Sequence, residues 1–224
     1  MSSHRRLLAV AVALGAVILL TSPTLAAKWD FTGSQSGVSG SAQSEFVCID
    51  NGDGTETCSS SAIFVFVGRS KSTGTPMEHV EDVCYGDFSD TFVTDTGEPV
   101  EFTSRFGCVD AGDAITVDDL STISLEPTEI PLTEVVCDLE SCSDEVPGGT
   151  VVVEGEWTGF GPITKQKSRF HFDDGICISM DSQRGTFRQA DFTGTVNSEP
   201  FVAEFAEISD STFTFRSGCV GDEE

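Results

Sequence analysis

A five-residue apolar run decides the fold class: residues 63–67 read Ile63-Phe64-Val65-Phe66-Val67. β-branched and aromatic side chains are typical of strands, and a run this short with polar neighbours predicts a strand rather than a helix. Further along, residues 201–205 (FVAEF) and 213–216 (FTFR) alternate apolar and polar residues. That period of two is the pattern of a strand with one buried face.

Turn-forming residues separate these runs. They occur at residues 51–54 (NGDG), 95–97 (DTG), 173–175 (DDG) and 182–185 (SQRG). Gly, Asn and Asp tolerate the backbone angles of tight turns, and the chain lacks the long 3.6-residue periodicity of helices. The sequence therefore predicts an all-β fold, an antiparallel β-sandwich or barrel built from two divergent β repeats.

The first 26 residues have the pattern of a signal peptide. Arg5 and Arg6 precede an apolar run of 14 residues, and small residues lead to a cleavage point after Ala26. A membrane span needs roughly 20 apolar residues, so cleavage is favoured over anchoring. We therefore expect a secreted or periplasmic protein with no membrane contact after cleavage.

The charge is strongly negative. The chain has 37 acidic and 12 basic residues, a formal charge of −25, and removal of the signal peptide leaves −27. Such a chain repels a phosphate backbone, which excludes nucleic acid as a partner. Residues 28–160 carry −22 and residues 161–224 only −5, with five bases between Lys165 and Arg188. A cation or a basic partner on the acidic part is the expected ligand, and the oligomeric state is not indicated.

An internal repeat is predicted from a shared motif. The pattern F-T-x-R-x-G-C occurs at residues 102–108 and again at 213–219. We divide the chain after the signal peptide into a first β unit (27–108), an acidic connector with edge strands (109–150) and a second β unit (151–224). Pro127 and Pro131 favour an edge position in the connector, because proline cannot donate to a ladder.

The eight cysteines predict a disulfide framework, since their number is even and the chain is exported. Cys137 and Cys142 are expected to close a small loop, and Cys177 to pair with Cys219. The repeat favours Cys48–Cys108 and Cys58–Cys84 for the remaining four. The alternative is Cys48–Cys58 across a hairpin together with Cys84–Cys108.

No motif indicates catalysis. The chain has no G-x-S-x-G sequence, and the two histidines after the signal, His79 and His171, have the character of surface residues. Asp50 and Asp53 lie in a stretch that resembles a calcium loop, but Gly52 stands where an oxygen ligand is required, so a turn is favoured. We expect no cofactor, with calcium as the alternative.

The predicted function is a non-enzymatic binding or structural module, with a secreted hydrolase using paired carboxylates and a calcium-stabilised extracellular domain as alternatives. The aromatic residues are predicted to form the core, because Phe lacks a polar group that suits a wet surface. That set is Trp29, Phe46, Phe64, Phe66, Phe102, Trp157, Phe170, Phe172, Phe187, Phe192, Phe201, Phe205, Phe213 and Phe215.

Overall fold

The computed structural model describes residues 31–138, 141–173 and 177–219, and nearly all of them lie in antiparallel strands. The predicted signal peptide and Trp29 lie outside the described residues. Within these ranges no helix is long and apolar enough to cross a membrane. The strands are β1 (Phe31–Ser44), β2 (Val47–Asp50), β3 (Thr55–Lys71), β4 (Glu78–Val93), β5 (Pro99–Asp110), β6 (Ile115–Asp118), β7 (Thr122–Cys137), β8 (Val146–Gly159), β9 (Thr164–Asp173), β10 (Cys177–Val196), β11 (Glu199–Phe201) and β12 (Ala203–Cys219).

The twelve strands form one sheet that closes into a ring. Each strand pairs with its neighbour along the chain or with the next one on, and the last strand, β12, pairs with the first, β1. Four stretches of the ring consist of two strands in line: β1 and β2 on β3, β5 and β6 on β7, β8 and β9 on one side of β10, and β11 and β12 on its other side. The all-β prediction is therefore confirmed, with a single irregular ring in place of a sandwich.

Gly40 of β1 identifies the interior of the ring. A Cβ atom there would lie 3.0–3.2 Å from side-chain atoms of Val65, Ile123 and Trp157, which belong to β3, β7 and β8. Since β7 and β8 are not neighbours of β1 in the sheet, Gly40 faces across the ring. The register places Gly40 opposite Val65 of β3 and Ile208 of β12, so these two side chains also face inward. Every second residue along each strand then shares the inward face.

The core is mostly aliphatic. Its side chains of zero exposure include Ile63, Val83, Ile123, Ile130 and Trp157. Of the predicted aromatic core, only Trp157 and Phe66 are buried among the described side chains. Phe46, Phe170 and Phe205 are 37%, 58% and 46% exposed. The half-buried remainder comprises Phe64, Phe102, Phe187, Phe192, Phe201, Phe213 and Phe215.

The aromatic prediction was therefore largely wrong, and the pleat gives the reason. Phe64 and Phe66 alternate with the inward Ile63 and Val65, so both rings point to the outer face of β3. On the outer face of β4 and β5, Phe88 and Phe102 stack with their centroids 6.4 Å apart. The phenylalanines cover the outside of the sheet, where they shield one another.

Among the described side chains, the disulfides are Cys48–Cys58, Cys84–Cys108 and Cys137–Cys142; the side chains of the predicted pair Cys177 and Cys219 lie outside that set. The pairing favoured from the repeat, Cys48–Cys108 with Cys58–Cys84, is wrong, and the hairpin alternative is correct. The reason is register: each bonded cysteine lies directly opposite its partner. The three bonds indicate an oxidising compartment outside the cytoplasm.

The acidic connector supplies β6 and β7 to the ring. β7 pairs with β8 along one side, whereas on its other side β6 pairs as far as Leu125 and β5 from Thr133, so Pro127 and Pro131 lie where that side has no register partner. A register shift between Leu125 and Thr128 falls at Pro127, and a second follows Leu132. At such bulges the regular strand pairing is interrupted, which accommodates proline because it has no N–H to donate.

Candidate functional site

The described basic residues share one property: every one lies at an inward-facing register position. Ile208 and Arg188 are direct partners, and alternation from them gives the same face to Arg184 on β10 and Arg216 on β12. The β9 register adds Lys165 to that face opposite Thr186. The complete set is Arg69, Lys71, Arg105, Lys165, Lys167, Arg169, Arg184, Arg188 and Arg216.

Eight of these nine residues occupy one end of the ring, where β9, β10, β12, β1 and β3 extend past the apolar core. We call this surface the cationic face; it comprises all of the nine except Arg105. All eight side chains are exposed except that of Arg188, which is half-buried. The face is continuous with the ring interior through Ile208 and Val65.

Hydroxyl side chains lie between the cations. One register row runs Lys167, Arg184, Thr212, Ser36 and Arg69 across five strands. The next row runs from Arg169 to Lys71 through Ser182, Thr214 and Ser34. With strands about 4.8 Å apart, each row spans roughly 19 Å. The face thus presents cations at its two sides and hydrogen-bonding hydroxyls between them.

The face lacks local charge compensation. Lys167 stands directly opposite Arg184, an arrangement of like charges that destabilises a sheet. Among the described side chains, no carboxylate lies within ion-pair distance of any of the eight cations. The acids at inward positions here are Asp210 and Glu81, and Glu81 accepts a hydrogen bond from His79 at 2.8 Å. In a chain with 37 acidic residues, folding alone gives no reason for this separation.

Arg188 is fixed at the base of the face. Its Nη1 and Nε atoms donate to the carbonyl oxygens of Leu120 and Gly161, each at 3.3 Å. Leu120 is buried beside the core, and the contact joins β10 to the β6–β7 turn. The cationic face therefore rests on a rigid part of the ring rather than on a loop.

Arg105, the ninth cation, lies toward the opposite end of the interior and is neutralised. Its Nε and Nη2 atoms donate to the two carboxylate oxygens of Asp87, each at 2.9 Å. The bond to Asp87 and the charge of that carboxylate raise the pKa of Arg105. Tyr85 lies beside this pair, and burial raises the pKa of its hydroxyl.

The predicted calcium ligands, Asp50 and Asp53, lie in the turn between β2 and β3. Asp50 accepts a hydrogen bond from the N–H of Gly52 at 2.8 Å, and Asp53 accepts from both the N–H and the hydroxyl of Thr55. These bonds lower the pKa of Asp53. The two carboxylates therefore stabilise a tight turn, and a metal role for them stays a prediction.

One set of ligand-type groups clusters within the described chain: Cys48, Glu56 and Cys58. Because the two sulfur atoms are joined in a disulfide, neither offers the thiolate that a metal would need. His79 is exposed and bonded to Glu81, and the side chain of His171 lies outside the described residues. The geometry thus brings no catalytic triad or metal centre together from the sequence candidates.

Comparison with known proteins does not assign the chain to a family. No protein-family model matches the chain, and a search of curated proteins finds no match. The geometry of the cationic face is therefore the feature that indicates a function.

The sequence contained a signal for this face. Lys165, Lys167 and Arg169 alternate with uncharged residues at the strand period of two, which places all three on one side of β9. The bases on β3 and β12 could not be added from sequence, because their position on the same face depends on the register and on ring closure.

Proposed function

We propose that the protein is an extracytoplasmic, non-enzymatic binding module whose cationic face holds a polyanionic ligand. The observation that carries this proposal is the gathering of eight basic side chains, none of them ion-paired among the described side chains, at one end of a highly acidic protein. Charges that are left uncompensated in a folded protein are typical of binding sites. The expected cation or basic partner on the acidic part of the chain stays a prediction, and an anionic ligand on this face is proposed beside it.

The chemistry of the face favours an acidic polysaccharide. Serine and threonine hydroxyls between the cations offer hydrogen bonds to sugar hydroxyls and to carboxylate or sulfate oxygens. Single-stranded nucleic acid needs aromatic side chains for base stacking, and the described positions of this face carry no Phe, Tyr or Trp.

The filled interior supports a module over the hydrolase alternative. Ile63, Val83, Ile123 and Trp157 occupy the centre of the ring with no exposure, and the inward carboxylate of Asp87 is held by Arg105. A glycosidase of the usual kind needs two carboxyl groups on either side of a sugar. The bonding of Asp50 and Asp53 within a turn likewise favours the module over a calcium-stabilised domain.

The test is binding of dextran sulfate and polygalacturonate, with neutral dextran as the reference polymer. We expect both anionic polymers to bind with an affinity that falls steeply with salt, and the double variant K167Q/R184Q to lose at least tenfold. R105Q is the matched control, because it removes a cation from the opposite end of the interior. Equal losses in the two variants, or equal binding of neutral dextran, would overturn the proposal.

A further inference from the structure

The wall of the ring has an opening between β10 and β12. β10 pairs with β12 as far as Gln189 and with β11 from Gly194, so residues 190–193 have no partner on that side. The opening encloses about 220 Å³. This volume is below the roughly 300–1,000 Å³ of drug-sized ligand sites and therefore suits a small molecule.

Three phenylalanine rings line this opening: Phe160, Phe192 and Phe205. Phe192 is held at its base between Trp157 and Phe201, with centroid distances of 4.6 and 5.6 Å. The N–H of Phe160 donates to the carbonyl of Gln189 at 2.8 Å, which fixes the rim. Phe160 and Phe205 are 44% and 46% exposed, so their rings are accessible to a ligand.

The charged side chains of the opening are both acidic. Asp191 and Glu204 line it, and no Lys or Arg is among the described residues that do so. Aromatic faces and carboxylates both attract cations, and aromatic faces do so best for alkylated ammonium groups that are weakly hydrated.

We infer that this opening is a binding site for a small quaternary ammonium compound. The ammonium methyl groups would contact the exposed rings of Phe160 and Phe205, and the carboxylates of Asp191 and Glu204 would supply the opposite charge. The site is independent of the cationic face, because none of the eight cations lines it.

The experiment is titration of the full chain with choline, followed by NMR, beside its neutral isostere 3,3-dimethylbutan-1-ol. We expect choline to bind and the isostere to bind at least tenfold more weakly, because it has the same shape without the charge. F205L and F160L should each weaken choline binding by roughly threefold to tenfold. F170L, which removes an exposed ring on the distant strand β9, is the control and should change nothing.

The carboxylates are tested separately. E204Q and D191N should each weaken choline binding, whereas E199Q on β11 should leave it unchanged. Equal affinity for choline and its isostere would overturn the inference, as would an unchanged affinity in both F160L and F205L. The double variant K167Q/R184Q should bind choline with unchanged affinity. Loss of choline binding can therefore be distinguished from loss of polyanion binding.

Discussion

Arg105 and Asp87 face each other across β5 and β4 and are joined by two parallel hydrogen bonds of 2.9 Å. Arg216 occupies the same place in the second F-T-x-R-x-G-C motif, but the residue opposite it on β10 is Met180. One motif arginine is therefore neutralised by its neighbour, while the other contributes an exposed charge to the cationic face.

The two arginines should respond differently to removal. Because Asp87 loses its partner, R105A should lower the free energy of unfolding by about 0.5–1 kcal/mol, the range for partly exposed ion pairs. R216A should change it by less than 0.5 kcal/mol and should weaken dextran sulfate binding several-fold. Urea denaturation and polymer titration of both variants give the comparison, and a greater stability loss in R216A would contradict it.

A fourth disulfide is expected between Cys177 and Cys219. Their backbone positions are directly opposed in the β10–β12 register, as are those of the three bonded pairs. Peptide mapping without reduction should yield a linked fragment that contains both cysteines. Recovery of either one as a free thiol from the folded protein would contradict this.

The three disulfides among the described side chains differ in the length of chain that they enclose. Cys84–Cys108 spans 24 residues and Cys137–Cys142 spans 5. Since cross-links act largely by restricting the unfolded chain, C84A/C108A should cost about 1 kcal/mol more than C137A/C142A. Chemical denaturation of the two double variants measures the difference, and equal costs would show that native-state packing dominates.

Stability should increase on mild acidification because of Asp82. This carboxylate lies opposite Asp110, and burial, followed by the charge of Asp110, raises its pKa above the ordinary 3.8. The folded state therefore binds the proton more tightly than the unfolded state does. The loss of folding free energy caused by the ionised Asp82 is absent below about pH 3.8 and is complete once the pH exceeds the raised pKa.

The variant D82N removes this cost. We expect it to raise the free energy of unfolding at pH 7 by about 0.5 kcal/mol, the scale for like charges on neighbouring strands, and to give no gain at pH 3. D113N, in the exposed turn before β6, serves as the control. A gain that persists at pH 3 would indicate a packing effect instead of titration.

Substitution of Gly37 should be costly for a steric reason. Gly37 of β1 lies opposite Gly68 of β3, and an added Cβ would lie 2.3 Å from the carbonyl oxygen of Val67 and 2.6 Å from the Cα of Gly68. Because both atoms belong to backbone, the strands themselves would have to separate. G37A should lower the free energy of unfolding by about 2 kcal/mol or more. G74A is the comparison: Gly74 lies in a turn with open space around it, so this substitution tests only the effect of its positive φ of 80°.

The sequence predicted the strands well because alternation and turn residues are local signals. Residues 63–67 and 213–216 lie in β3 and β12 as expected. Which face of a strand points inward is not a local property, and Phe64 and Phe66 show this. They are as apolar as Ile63 and Val65, but the register places Val65 opposite Gly40 on the inside, so alternation along β3 puts Ile63 and Val65 inside and both rings outside.

The disulfide pairing and the site depended on register in the same way. The repeat paired Cys108 with Cys48, which is wrong because Cys84 lies opposite Cys108 on the neighbouring strand; its pairing of Cys177 with Cys219 stays a prediction. Duplication of the two halves itself stays a prediction. The eight cations of the cationic face come from strands that meet only when the ring closes, so no local pattern could group them.

Pairing of the first strand with the last also determines how this chain can fold. Phe31 and Ser217 are register partners although they stand at opposite ends of the described chain, so closure must await β12. Contacts of such long range make folding slow. A nascent chain that ends before β12 would leave β1 and β10 with unpaired edges, which are prone to aggregate. C-terminal truncations that remove β12 should therefore sharply lower the yield of folded protein.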